Sequence, residues 1–172
     1  MAKFGKFPSL SAFLGSYVEK QKKQLAKEIE REAPSIAARA RSIRRRQRLQ
    51  RDVVEIDAIL AGREDDDDDP NGGRHVRLLV GVAKIIKTDP DVDADLRDAK
   101  ANGRNVFVAV RIGDSQGIVE PIKGLAEGST LHLKGEWITR EKARAHGGER
   151  MSVLHFTHHP IGFICTEVKC YM

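Results

Sequence analysis

The stretch HVRLLVGVAKIIK, residues 75–87, decides the fold predicted for this chain. It is rich in β-branched apolar residues, which is typical of a strand. Gly81 lies inside it, and a glycine within a strand indicates a bulge and a strong bend. Further along, NVFVAVRI at residues 105–112 alternates strictly, with valines and Ile112 on one face and Phe107, Ala109 and Arg111 on the other. We take these segments as the first two strands of a β domain.

Three further segments complete the pattern. They are GIVEPI, where Pro121 marks an edge or an end, TLHLKGEWI at residues 130–138, and MSVLHFTH at residues 151–158. Five strands of uneven length, with a glycine in the first strand and a long gap after it, predict a five-stranded Greek-key barrel, the OB-fold. We assign this barrel and a C-terminal tail to residues 75–172.

A helical arm is predicted over residues 1–63. Apolar residues spaced by three or four positions line one face of a first helix, which Ser9 or Ser11 could cap and Pro34 would follow. A second helix is predicted from Ser35 to Leu60. Its first half carries seven arginines, and its second half has an apolar stripe that needs a partner surface, made of Leu49, Val53, Ile56 and Leu60. The expected fold class is therefore α+β, a helical arm followed by an all-β barrel.

An acidic linker is predicted between arm and barrel, at residues 64–74. Five successive aspartates followed by Pro-Asn-Gly-Gly cannot bury apolar surface or relieve their own repulsion inside a core. The simpler interpretation is a solvated spacer. The alternative is an acidic run that folds back on the arginine-rich helix and masks it.

Composition limits the class of protein. Residues 1–52 hold 14 basic and five acidic residues, a polarity that indicates a polyanion or an acidic surface as partner. Two cysteines five residues apart do not make a disulfide framework, and residues 7–18 are too short and interrupted for a transmembrane span. A signal peptide competes for the first residues, but no small-x-small cleavage site follows. We expect an intracellular, cytoplasmic protein.

Three histidines in five residues close the last predicted strand, in LHFTHHPIGFIC, which starts at Leu154. In an extended strand, Leu154 and Phe156 face the core while His155 and Thr157 face outside. Pro160 ends the ladder because it has no N–H to donate.

A metal site is one alternative for these histidines. Pairing of the last two strands would place His132 beside His155, and a returning His159 or Cys165 could complete a three-ligand set. The simpler alternative is a polar histidine patch without metal. No carboxylate lies at a spacing that would orient the imidazoles for acid-base chemistry, so we expect no catalytic residue and no cofactor.

Two other motifs fail on inspection. Residues 89–100 begin like a calcium-binding loop, but Ala94 stands where glycine is required and Lys100 where a glutamate is required. The glycine pairs lack the strand-turn-helix setting of a phosphate cradle.

Nucleic acid is the partner that the basic residues favour. OB barrels bind strands of nucleic acid on the second and third strands, between two loops, and the loop TREKARAHGGER is basic. An arginine-rich helix binds phosphates through counterion release. The candidate contacts are Arg39, Arg41, Arg44, Arg45, Arg46, Arg48 and Arg51 in the arm, and Phe107, Arg111, Arg140, Lys142, Arg144 and Arg150 on the barrel.

Part of the barrel also resembles a known family. The segment EGSTLHLKGEW followed by VLHFTHHP resembles a family of small bacterial OB-barrel proteins of unknown function that end in a His-Trp-Thr-His-His-Asp-Pro segment. His155, Thr157, His158, His159 and Pro160 match that pattern. Phe156 replaces the tryptophan, and the aspartate before the proline is missing. The resemblance covers roughly residues 75–160, implies a fold, and implies no activity.

The sequence therefore predicts a non-enzymatic, nucleic-acid-associated accessory protein with a basic helical arm. The alternative is a structural subunit whose arm docks onto a larger protein assembly. Binding to a membrane surface through the apolar N-terminal residues is a weaker alternative, and no feature indicates a small-molecule substrate.

Overall fold

The computed structural model of the chain describes residues 3–32, 35–38, 40–41, 52–68 and 72–172. In chain order, its named elements are α1 (Leu10–Glu32), β1 (Val53–Asp68), β2 (Arg74–Lys87), α2 (Asp93–Ala101), β3 (Asn105–Ile112), β4 (Thr130–Ile138), α3 (Arg140–Ala145), β5 (Val153–His155), β6 (Phe163–Cys165) and β7 (Cys170–Tyr171). The fold class is α+β, with an N-terminal helix followed by a closed, OB-like barrel, which confirms the predicted class.

Five strands close the barrel in the order β1-β2-β3-β5-β4, and β4 pairs back with β1. The β3–β5 pair is parallel, and the other pairs are antiparallel. Because side chains alternate along a strand, each barrel strand sends one apolar set inward. The interior includes Val54, Ile56, Leu78, Val80, Val108, Val110, Leu131, Leu133 and Leu154.

The first barrel strand is β1, so the helix predicted as far as Leu60 is wrong from Val53 onward. Val53, Ile56 and Leu60 do fall at helical spacing, but Val54, Ile56, Ala58 and Leu60 also alternate, and these four are the buried ones. Because β1 pairs with β2 on one side and with β4 on the other, the strand period of two residues prevails over the helical period. The strand predicted as the first is therefore the second. The pairing of this strand, β2, with β1 is regular at Gly81, where the sequence predicts a bulge. The register shifts between the two strands lie at other positions.

The predicted acidic linker is also wrong where the structure describes it. Residues 64–68 end β1, and Arg74 begins β2. Arginines on the same hairpin hold part of the acidic run: Arg77 lies 2.6 Å from Glu64, and Arg63 lies 2.9 Å from Asp66. Glu64 and Arg77 are directly opposite on β1 and β2, and a cross-strand ion pair of this kind lets an acidic sequence adopt a strand.

A short helix closes one end of the barrel. The apolar side of α2 enters the interior cluster through Leu96 and Ala99. Asp95 of the same helix accepts hydrogen bonds from Trp137 Nε1 at 2.9 Å and from Ser152 Oγ at 2.7 Å. Trp137 therefore keeps its N–H bonded while its ring is buried.

The N-terminal segment packs against the outside of the barrel. Its apolar residues join outward-facing barrel residues in a second cluster that holds Phe4, Leu10, Phe13, Leu14, Tyr17, Phe107, Ala109, Ile138, Ala143 and Val153. Ser9 caps α1, since its Oγ accepts the N–H of Ala12 at 3.1 Å. The predicted cap is confirmed, as is the apolar face at Leu10, Leu14 and Tyr17, but Phe4 and Phe7, also predicted on that face, precede the helix and bridge each other.

The remaining predicted strands differ in extent. The GIVEPI segment makes only an isolated bridge between Ile112 and Ile118, and residues 121–126 have no regular structure. The last predicted strand is shortened to β5. A hairpin of β6 and β7 follows, closed by a disulfide between Cys165 and Cys170, which the sequence pattern did not predict.

Residues 36–38 and 40–41 are helical, as predicted for the start of the arginine-rich segment. None of the helices in the described part of the chain is long and apolar enough to cross a membrane.

Candidate functional site: a histidine-lined cleft

A cleft of about 450 Å³ opens between α1 and the barrel. On the helix side it is lined by Leu14, Gly15, Val18, Glu19 and Lys22. On the barrel side, β2 contributes His75, β3 contributes Ala109 and Arg111, and the following loop contributes Gln116. His155, Phe156 and His158 complete the lining. This volume lies in the range of small-molecule and cofactor sites.

The histidine segment forms one wall of the cleft because the chain leaves the sheet there. Both β5 and β6 pair with β4, at residues 136–138 and 132–134 respectively, and residues 156–162 form an excursion between them. Two glycines allow the close approach: a Cβ on Gly135 would lie 2.4 Å from the His155 carbonyl oxygen, and a Cβ on Gly162 would overlap the Lys134 carbonyl oxygen. The excursion is therefore built into the sheet.

Phe156 begins the excursion with a φ of 54°, in the left-handed region that a bulky residue rarely adopts. Its ring centroid lies 4.2 Å from that of His155 and 6.1 Å from that of His158. Strain of this kind is found at ligand-binding sites more often than elsewhere. The predicted core position of Phe156 is wrong, since its side chain is only half-buried.

His155 and Thr157 are buried, contrary to the prediction that they face solvent. They do point away from the barrel interior, but this side of the sheet is covered. The Nε2 atom of His155 lies 3.4 Å from Oε1 of Glu136, within ion-pair distance but without hydrogen-bond geometry. Burial raises the pKa of Glu136, but His155, Gln21 and Lys142 outweigh it, so the pKa is lowered overall.

His158 offers a free acceptor to the cleft. Its Nδ1 lies 2.9 Å from the carbonyl oxygen of His159, and a carbonyl can only accept, so Nδ1 carries the proton. Burial lowers the pKa of His158 and outweighs the hydrogen bond to the His159 carbonyl, which raises it; Arg111 and His155 lower the pKa further. Near neutral pH the ring is therefore neutral, and its Nε2 carries a lone pair.

A buried polar cluster that the sequence pattern did not indicate joins α1 to the β1–β2 hairpin. Ser11 Oγ lies 2.7 Å from Nδ1 of His75, and the Ser11 backbone N–H donates to Asp67 Oδ2 at 2.8 Å. Ser11 and Asp67 are each 2% exposed. A carboxylate at the first turn of a helix is stabilised by the helix dipole. Asp67 thus anchors α1, although its position within an aspartate run gave no signal of this.

Two barrel residues predicted to contact nucleic acid have other roles. Phe107 is 8% exposed and lies under the N-terminal segment, with its ring centroid 5.8 Å from that of Phe4, so the prediction of an outward stacking ring is wrong. Arg111 bonds Asp114 at 2.6 Å and the carbonyl of Gly72 at 3.0 Å. The hydrogen bond from Arg111 is the main cause of the lowered pKa of Asp114.

The basic loop contains α3, and acidic neighbours neutralise most of it. Arg140 lies 3.4 Å from Asp98, Lys142 lies 3.0 Å from Asp52, and Arg150 lies 2.5 Å from Glu141. Arg144 is exposed, and it has no ion pair with the residues that the structure describes. The loop offers much less free positive charge than its sequence indicates.

In the arm, Arg41 is exposed. Arg39, Arg44, Arg45, Arg46, Arg48 and Arg51 lie outside the described residues, as does Leu49 of the predicted stripe.

The candidate metal ligands do not form a common site: His132 lies opposite Cys165 in the β4–β6 pair, but His155 lies further along β4. His132 lies on β4, and His155 pairs with Glu136 of the same strand. These two positions of β4 are four residues apart, which is about 13 Å along a strand. His132 instead lies between Glu55 and Asp57, at 2.7 Å from each, and stacks on Phe163. Cys165 is in the disulfide, and His159 is exposed. The predicted neighbourhood of His132 and His155 is therefore wrong.

Among the described residues, Asp52, Asp89 and Asp91 form a compact acidic group. Lys142 already pairs with Asp52, and Asp89 accepts the backbone N–H of Asp91 at 3.0 Å. The segment that began like a calcium loop continues into α2 from Asp93, so no such loop forms.

Comparison of the chain with protein-family models, with curated proteins and with solved structures found no match.

Proposed function

We propose that the protein is a non-enzymatic nucleic-acid-associated accessory protein, which contacts phosphates through the outer half of α1 and the arginine-rich segment after it. The supporting observation is the difference in neutralisation between the basic regions. In the loop around α3, three of four basic side chains have acidic partners. Lys20, Lys23 and Lys27 are exposed on α1 and have no ion pair with other described residues.

The charge of this region continues along the chain. Residues 20–51 hold 12 basic and three acidic residues. Phosphate binding by such a segment is sequence-independent and releases counterions, so it weakens as salt rises. The OB-like barrel serves as the platform that anchors α1 through its apolar half.

A structural subunit whose arm docks onto a protein assembly is the second candidate. It is favoured by the exposed side chain of Ile36, which is 85% exposed at the start of the arginine-rich segment. An isolated exposed apolar residue is common on monomers, so this observation is weaker than the charge.

The test is binding of the full chain to single-stranded and duplex oligonucleotides over a salt series. We expect a steep decrease of log affinity with log salt. The triple variant K20Q/K23Q/K27Q should flatten the slope by about 0.7 to 0.9 for each phosphate that the variant no longer neutralises.

The matched control is K84Q/K87Q/K100Q, which removes the same charge from exposed lysines on β2 and α2. An equal effect of the two triple variants would show that only net charge matters. Absence of salt-dependent binding by the wild-type chain would refute the proposal and favour the assembly candidate.

A further inference from the structure

We propose that the cleft between α1 and the barrel binds one nucleotide unit, free or within a single strand, with its base between the excursion and Gly15 and its phosphate at Lys22. This deepens the proposed function and rests on it for the class of ligand. The first argument is position. OB barrels bind ligands on the face of their second and third strands. Here the N-terminal segment covers Phe107 on that face, while His75 of β2 and Ala109 of β3 line the cleft.

The second argument is Gly15, which lies in the interior of α1. Glycine there costs about 1 kcal/mol relative to alanine. A close packing contact would explain it, but a Cβ built on Gly15 meets nothing within 4 Å. Gly15 lines the cleft, so the missing side chain widens it. A glycine that weakens the helix and makes no close packing contact in return indicates a functional site.

The third argument is the chemistry of the walls. The Phe156 ring provides an apolar surface on which a base can stack. His158 Nε2 accepts a hydrogen bond, and the Gln116 amide both donates and accepts, so together they can pair with a base edge. His155, which is 3% exposed, places a buried polar ring in the same wall.

The fourth argument concerns charge. Arg111 is engaged by Asp114, whereas Lys22 is 70% exposed and, among the described residues, pairs only with Glu19, at 3.6 Å. Such an exposed pair contributes little and yields readily to a phosphate. Lys22 also lies on the helix that carries Lys20, Lys23 and Lys27, so a strand leaving the cleft meets the basic surface already proposed.

The test is a substitution on α1 whose large side chain would fill the cleft. Gly15→Phe should lower the affinity for a single-stranded oligonucleotide of about ten nucleotides by about tenfold or more at moderate salt, because the base loses its stacking position. Gly15→Ala adds only a methyl group, so it should lower the affinity less than Gly15→Phe does, while it raises the melting temperature. Gln116→Ala, in an exposed position, should weaken binding without loss of the fold. Circular dichroism checks that each variant is folded.

Competition with the four nucleoside monophosphates distinguishes a free nucleotide from a unit of a strand. A strand carrying a photoreactive base should cross-link to Phe156 or His158. The proposal is overturned if folded Gly15→Phe binds like the wild type, or if the cross-link maps elsewhere. The proposed function would then still stand on the lysine triple variant, whose effect does not depend on the cleft.

Discussion

The two halves of α1 differ in their surroundings, although Ile29 in the second half is buried. The first half, up to Val18, buries Phe13 and Tyr17 against the barrel and is anchored at its start by Ser9 and Asp67. The second half carries exposed lysines at positions 20, 22, 23 and 27. One helix thus joins an anchored face to a basic surface, and the cleft lies where the two meet.

The largest expected effect tests the anchored half. Phe13→Ala should reduce the free energy of unfolding by about 3 to 5 kcal/mol, because a fully buried ring leaves a cavity. Lys23→Ala, two turns or more along the same helix, should change it by under about 0.5 kcal/mol. Denaturant unfolding measures both. Similar values for the two variants would contradict the division of the helix.

The anchor at the helix start should have the next largest effect. Asp67→Ala removes the acceptor of the buried Ser11 N–H and should cost about 1 to 3 kcal/mol. Asp68→Ala is the matched control, since Asp68 is exposed and adjacent. We expect that control to stay within about 0.5 kcal/mol of the wild type. Equal effects in thermal unfolding would show that Asp67 does not anchor α1.

A smaller effect locates the boundary between the halves. Gln21 Nε2 donates to Glu136 Oε1 at 3.4 Å, the last described hydrogen bond from the side chain of α1 to the barrel along the helix. Gln21→Ala should therefore cost under about 1 kcal/mol. Hydrogen exchange should then show faster opening around residue 21 and unchanged protection near Phe13. Loss of protection along the whole helix would show that the halves are one unit.

The smallest expected effect is a pH dependence of the anchored half. His146 stacks on Phe7, contacts the Tyr17 ring edge-on, and lies 2.9 Å from Ser16 Oγ through its Nε2. Burial lowers its pKa, with further lowering from Lys20 and Lys6. A histidine whose pKa is lower in the folded state stabilises the fold fully above its ordinary value of about 6.5, and this stability is lost as pH falls below that value.

His146→Phe should therefore show a shallower decrease of stability between about pH 6.5 and 5 than the wild type. His158, whose pKa is also lowered by burial, should keep part of the dependence. A steeper decrease in the variant, measured by thermal unfolding across this pH range, would contradict the expected sign.

Sequence alone predicts well those segments whose local residue pattern fits only one type of secondary structure. NVFVAVRI and TLHLKGEWI form strands with the predicted bounds, residues 105–112 and 130–138. Ser9 caps α1 as expected, because its hydroxyl and the free N–H groups of the helix start are neighbours in sequence. The α+β class and the barrel follow from the same local alternation.

The candidate site was predicted only in part. The sequence singled out His155 and the segment around it, but it assigned His155 to the solvent and Phe156 to the core, and both are wrong. It could not place Gly135 against His155, since that contact depends on the register between β4 and β5. The opening at Gly15 has no sequence signal, because a helical glycine alone does not say what faces it.

What the sequence by itself determined is the position of apolar and charged side chains along each element. Only the tertiary structure decided which of them are covered. The apolar residues from Val53 to Leu60 fit both a helical and a strand spacing, and pairing with β2 and β4 selects the strand. Phe107 faces outward in any strand, and α1 makes that face a buried one. The loop around α3 loses its free charge to Asp52, Asp98 and Glu141, two of which are more than 40 residues away in sequence. Burial and charge neutralisation are long-range properties, so they depend on partners that local sequence does not name.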